Sequence, residues 1–243
     1  MSAPGSEEAG QPDRANQPDR ANQPDRANQP DRTNQPDRDV LLHALNLYQA
    51  RYPAEEDTVA RIRDLVAGRP DCFERTCMPG HITGSAWILS PDRSKYLLTR
   101  HRIFDRWLQL GGHADGCSQP HLVALREAEE ESGLRGFGLF RDPEGFIPLD
   151  VDIHAIAARP AIAARPAIAA RPGVPAHEHY DLRYLLAAGA EQPLEISDES
   201  HDLRWFARDE LLDTVREESV LRMLHKGDAV LKRGGGEFVY GLS

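Results

Sequence analysis

The chain has 243 residues, a formal net charge of −10, 40% hydrophobic residues and three cysteines. The excess of negative charge argues against a broad nucleic-acid-binding surface, and three cysteines, Cys72, Cys77 and Cys117, are too few for a disulfide framework and fit a reducing compartment. No apolar run approaches the ~20 residues that a membrane span needs, and the polar start of the chain lacks a signal-peptide pattern, so the expectation is a soluble, cytoplasmic protein without a membrane or nucleic-acid partner.

Between Gln11 and Arg38 the unit Gln-Pro-Asp-Arg recurs five times at a six-residue period. It is rich in proline, balanced in charge and almost free of apolar residues, so it cannot bury a core; residues 1–37 are expected to be a disordered tail. A helical extension follows over 38–71. Segments 39–51 and 56–67 carry Leu41, Leu45 and Tyr48, then Val59, Ile62 and Val66, at helical spacing, with Gly68 and Pro70 as stops. An added helical pair of this kind can pack on the domain that follows or form a homodimer contact. Cys72 and Cys77 have no second pair to complete a metal site and are expected to be buried thiols.

The main domain, over 72–226, comes next. Residues 86–89 and 95–99 flank Ser90–Pro91–Asp92–Arg93–Ser94, a hairpin. His81, Thr83 and Ser85 alternate ahead of Trp87, as polar positions on a half-buried strand do. Residues 107–110 form a strand that leads into a glycine-rich turn over Gly112–Gly116. A second repeat, Ala-Ile-Ala-Ala-Arg-Pro, occurs three times over 155–172. A proline every sixth residue excludes a regular helix or a central strand, so this is a lengthened loop between two strands of a hairpin, 151–154 and 179–186. Residues 203–206 read as a strand, 209–224 as a closing helix and 227–243 as a C-terminal tail. Strands and helices in this order suit an α/β/α sandwich with a mixed sheet.

The segment from Gly112 to Leu134 carries the chemistry. Pro120 suits the first turn of a helix and Gly133 suits a left-handed cap. Glu127, Glu130 and Glu131 fall in one narrow arc at positions i, i+3 and i+4, while Leu122, Leu125 and Ala128 fall on the opposite arc and can face a core. Glu129 points away from the cluster and is expected to be solvated. Carboxylates crowded near a helix C-terminus repel one another and the helix dipole. A divalent cation removes that conflict, and hard oxygen ligands suit Mg2+ or Mn2+ rather than zinc or copper.

This segment resembles the Nudix box at Gly112, Arg126, Glu127, Ala128, Glu130, Glu131, Gly133 and Leu134. It departs from it at Ser118, where the family has a glutamate that supports the helix and its arginine; a serine there can cap the helix N-terminus. The resemblance extends over residues 73–224. It implies a Nudix-type α/β/α sandwich and a pyrophosphohydrolase that uses Mg2+ or Mn2+. The metal would be held by Glu127, Glu130, Glu131 and the Gly111 carbonyl. One glutamate would double as general base, and Arg126 would orient the carboxylates. The implied partner is a small-molecule diphosphate, a nucleoside diphosphate derivative or a related compound. Ser118 leaves an alternative open, a Nudix-fold module of weak or no activity that binds a nucleotide or a protein; the retained glutamates favour the enzyme. An isomerase of diphosphates on the same fold would want a catalytic cysteine facing a carboxylate, and Cys117 does not suit that role.

Outside the box, the family often places a carboxylate before its last strand that assists the metal or acts as base. Glu199 is nearest to that position, with Glu195 and Asp198 as rivals. His113 and Asp115 sit in the glycine turn, close to where phosphate would lie, and are substrate-binding candidates. In the run His177–Glu178–His179–Tyr180–Asp181 the histidines and Asp181 share one strand face. With His154 on the neighbouring strand they can form a second metal or phosphate site; an imidazole-lined pocket wall is the plainer expectation.

Overall fold

A computed structural model describes residues 35–158, 173–197 and 200–242. Most of the expected tail over 1–37, most of the second repeat, and Asp198 and Glu199 lie outside the described residues.

Two helices open the described chain, α1 (Gln35–Arg51) and α2 (Glu56–Gly68), joined by a single 3-10 turn at Pro53–Glu55. α1 begins earlier than the spacing of apolar residues indicates, inside the fifth Gln-Pro-Asp-Arg unit. The last copy of the repeat is therefore structural: Arg38 is buried and donates to the carbonyls of Val66 (2.8 Å) and Arg69 (3.1 Å) and to the Cys72 sulfur. This arginine ties the end of α2 to the start of α1. Cys72 and Cys77 are buried free thiols, as expected, and burial pushes the Cys77 thiol up to about 11.

The sheet is built on two long strands, β1 (Gly80–Leu89) and β7 (His177–Ala187), which run parallel in unbroken register from Gly80↔Glu178 to Leu89↔Ala187. β1 is buried along its whole length. The outer edge of each long strand is shared by two shorter ones. On β1 these are β4 (Leu110–His113), opposite Thr83–Ala86, and β2 (Lys95–His101), opposite Ile88 and Leu89. On β7 they are β6 (Asp150–Ile156), opposite His177–Arg183, and β5 (Gly138–Arg141), opposite Leu186 and Ala187. β3 (Trp107–Leu108) and β8 (Ser200–Ala207) extend the β2 side, and β9 (Glu237–Val239) pairs with β5. Both expected hairpins are present, with Leu89↔Tyr96 and His154↔His179 as register pairs.

Alternation along β1 and β7 divides the interior. Ile82, Ala86 and Ile88 on β1 and Leu182, Tyr184 and Leu186 on β7 join a core with α1, α2 and the motif helix α3 (Pro120–Ser132). The so-called extension thus shares the main core. Trp87, Leu89 and Leu185 on the other face pack with α4 (Arg208–Thr214) and α5 (Glu218–Arg233). The expected helix over 209–224 is broken because Val215 inserts into that second core with an extended backbone; no glycine or proline announces the break. α5 and β9 also occupy most of the expected C-terminal tail. The result is the anticipated α/β/α sandwich with a mixed sheet.

No helix among the described residues is long and apolar enough to cross a membrane.

Candidate active site

The start of the expected glycine turn is strand instead: Gly112 belongs, with Gly111, to β4, opposite Gly84 and Ser85 of β1. They are glycines because of close approach. A Cβ on Gly112 would lie 2.5 Å from the Glu127 carboxyl carbon, and one on Gly111 would lie 2.2 Å from the Ser85 hydroxyl. The turn itself falls in the second half of the expected segment, where Asp115 and Gly116 have φ of 49° and 85°.

α3 packs on the face of the sheet over β1 and β4 and is fastened to β4 by its charged residues. The Arg126 guanidinium donates to the His113 carbonyl (2.7 Å) and to Glu127 (2.7 Å). Glu131 accepts from the Gly111 amide (2.9 Å). Glu130 is the most open of the three, with 62% of its side chain exposed, and meets Arg126 only at 4.0 Å. The core side of α3 is Val123, Ala124, Leu125, Ala128 and Ser132; Leu122 is only partly buried. Glu129 is not solvated as expected: its side chain is 16% exposed and faces Arg135 at 3.8 Å. The helix closes on Gly133 in the left-handed conformation, as expected.

Ser118 does not cap α3, whose N-cap position is Gln119 and has no side-chain cap. The Ser118 hydroxyl is buried and donates instead to Asp37 of α1 (2.6 Å), which also receives Gln119 at 3.4 Å. A carboxylate therefore does reach this place, delivered from the last repeat unit rather than from the motif. The preference of serine for N-caps could not reveal a partner 81 residues away.

The opposite face of the sheet carries a band of buried polar groups, where His81, Thr83 and Ser85 are deeply buried rather than half-buried. Asp181 accepts from Thr83 (3.0 Å), Ser85 (2.7 Å), Gln109 (3.3 Å) and Arg183 (2.8 Å). Burial alone would push its carboxyl up, but the Arg183 guanidinium holds it below its usual range. Arg183 also reaches Asp150 and Asp152, and Asp150 in turn receives Arg222 and Lys226 from α5. Asp181 is thus a structural anchor, not a free ligand beside His177 and His179. Sequence reading missed Arg183, Asp150, Arg222 and Lys226; the signal was the period-two run Asp150, Asp152 and Asp181, Arg183.

Five imidazoles gather beyond this network. His81, His113 and His179 have ring centroids 5.0–5.2 Å apart, and His154 and His177 lie 5.3 and 5.1 Å from His179. Burial pushes His113 down to about 4 and His179 down to about 3. Asp115 stands apart, paired with the exposed Arg75. Of the late carboxylates, Glu195 packs against Gly133, and its amide donates to the Ser132 carbonyl (2.8 Å).

The fold and the fastened carboxylate helix define a Nudix-type hydrolase. Comparison with known proteins agrees: residues 81–225 match the model of the NUDIX domain. The chain belongs to the NUDIX family, and its enzymatic class is pyrophosphohydrolase. No protein of curated function matches it. Among solved structures, a NUDIX-family hydrolase from Clostridium perfringens is 22% identical, covering 61% of this chain and 97% of its own at a TM-score of 0.44. A C. elegans Ap4A hydrolase binary complex is 13% identical, with coverages of 63% and 98% and a TM-score of 0.43. The NUDIX domain of Shewanella oneidensis NrtR, complexed with ADP ribose, is 16% identical, with coverages of 62% and 87% and a TM-score of 0.39.

Proposed function

We propose that this chain cleaves the diphosphate linkage of a nucleoside diphosphate derivative with Mg2+ or Mn2+ held by Glu127, Glu130, Glu131 and the Gly111 carbonyl. The observation that carries this reading is the fastening of α3 to β4. Gly112 leaves room for the Glu127 carboxylate, and the Gly111 amide fixes Glu131. A carboxylate held in a space that a Cβ would fill, beside a free-edge carbonyl and an open Glu130, is a donor set for a hard cation that keeps several waters. When bound, such a cation would neutralise phosphate charge and lower the pKa of a bound water.

The chain's own residues supply order and proton transfer. Arg126 locks Glu127 to the His113 carbonyl, so the helix cannot slide along the strand. Glu130, which is exposed and weakly paired, is free to take a proton from the attacking water. The structures of an Ap4A hydrolase and of an ADP-ribose complex make nucleoside diphosphate derivatives the first class to test. The catalytic unit is proposed as residues 72–226. A panel of such compounds, assayed with Mg2+ for wild type and Glu130→Gln, tests the reading. Hydrolysis by wild type that the variant loses supports it, and equal rates from the two defeat it.

A further inference from the structure

We propose that His81, His113 and His179 bind one divalent transition-metal ion, Zn2+ by preference, on the sheet face opposite α3. This site is separate from the glutamates of the motif and does not depend on the hydrolase reading.

Register creates the site. His81 of β1 and His179 of β7 are parallel partners, and His154 of β6 is the antiparallel partner of His179. His113 sits at the end of β4, opposite Thr83, and leans over His81. Three adjacent strands thus point imidazoles into one space. One ring nitrogen from each of His81, His113 and His179 lies within 4.8 Å of the other two. Among the described residues this is the trio of possible metal-binding side chains that converges; the motif glutamates instead line a helix edge. Nitrogens on one tetrahedral zinc, with bonds of about 2.0–2.1 Å, stand roughly 3.3 Å apart. The half-buried His113 and His179 are the rings that can turn to close the triangle. His177 already lies at that spacing, its Nε2 3.3 Å from Nε2 of His179.

A cluster without an ion is a poor core. His81 is 1% exposed, and its Nε2 has no hydrogen-bond partner. A buried polar atom left unpaired is destabilising, and an apolar residue on β1 would avoid that cost. The outer nitrogens show the arrangement that metal-binding histidines use. His177 Nδ1 lies 2.9 Å from the Pro175 carbonyl and His81 Nδ1 3.4 Å from the Cys77 carbonyl. A backbone acceptor at Nδ1 places the proton there and leaves the Nε2 lone pair for a ligand.

Donor chemistry selects the ion. The trio contains no carboxylate, and an all-imidazole set suits zinc and its transition-metal neighbours rather than Mg2+ or Ca2+. Buried, uncharged rings attract a cation and offer nothing to a phosphate anion. Three protein ligands leave a fourth position for water or His177.

The experiment uses the untagged full-length chain, stripped with a chelator and titrated with Zn2+ in excess Mg2+, without substrate. One zinc per chain is expected to bind at micromolar concentration or below. His113→Gln and His179→Gln should weaken binding at least tenfold, while the triple variant Glu127→Gln, Glu130→Gln, Glu131→Gln should bind as wild type does. No saturable binding by wild type overturns the proposal, as does loss in the triple variant with retention in the histidine variants. X-ray absorption at the zinc edge of the wild-type protein needs no substitution: imidazole nitrogens in the first shell support the site, and oxygens alone overturn it. Hydrolysis enters none of these readouts, so the site and the catalytic reading stand or fall separately.

Discussion

The two sides of β4 solve opposite problems. Along one side, α3 presents carboxylates that are near in sequence, each held or left open by a different group. On its far side, imidazoles from four strands do converge although 98 residues separate His81 from His179. A helix gathers residues by local period, whereas a sheet gathers them by register, and only the first is written in contiguous sequence.

The largest effect that would break this contrast is on catalysis. Glu130→Gln removes an exposed carboxylate whose pairing with Arg126 spans 4.0 Å, so stability should hold while hydrolysis falls by about 10³-fold, within the range for loss of a general base or metal ligand. Thermal denaturation and single-substrate kinetics check it; an intact rate removes the helix edge from the chemistry. Gly112→Ala should come next. Its Cβ would meet the Glu127 carboxylate, and a displacement of that order costs about 10²-fold in rate. Gly68→Ala is the control, because a Cβ there meets nothing within 4 Å. Equal kinetics for these two variants would show that the position of Glu127 is immaterial.

The pH response sharpens the comparison from the histidine side. Burial holds His113 and His121 at about 4, and His179 at about 3, below the ordinary value of 6.5. Their neutral forms are thus favoured by folding. That stability is fully present above pH 6.5 and is lost as pH falls toward the folded values. For His121, buried against Phe146, the loss between pH 7 and pH 5 is about 2 kcal/mol. Urea midpoints at the two pH values measure it, and His121→Phe should recover that share. A midpoint unchanged by acid would mean that the native state takes up protons at these imidazoles as readily as the unfolded chain does.

What sequence could supply follows the same division. The box, both long hairpins and the sandwich were legible because each rests on short-range pattern. The glycine pair was legible as functional but not as strand, since its reason is the Glu127 carboxylate and the Ser85 hydroxyl rather than a turn. The histidine cluster was half visible: His177, His179 and His154 share a hairpin, but His81 and His113 enter through the parallel pairing of β1 with β7 and the pairing of β4 with β1. Ser118 is the sharpest failure of local reasoning. Its partner is Asp37, in a repeat unit whose composition predicts no structure at all. Ser118→Ala should cost about 1.5–3 kcal/mol, the worth of a hydrogen bond to a charged group, with a fall of about 3–10 °C in Tm. Asp37→Ala added to it should cost only its remaining long contact with Gln119; full additivity would mean that Ser118 and Asp37 do not act as a pair.

The smallest expected effect concerns the loop beside the histidines. Ile156 pairs with His177, so residues 157–176 close the β6–β7 hairpin. Deleting residues 161–172, two copies of the Ala-Ile-Ala-Ala-Arg-Pro unit, shortens that connection from twenty residues to eight. Closure entropy grows only with the logarithm of length, so the gain is about 0.8 kcal/mol in favour of the folded state. Eight residues remain enough to join antiparallel neighbours, so the registers His154↔His179 and Ile156↔His177 should survive. The deletion should therefore leave hydrolysis unchanged, with a Tm equal to or slightly above that of the full chain. A fall of several degrees would show that the repeat contributes contacts of its own. Loss of zinc binding with hydrolysis intact would place those contacts at the histidines and not at the carboxylate edge of β4.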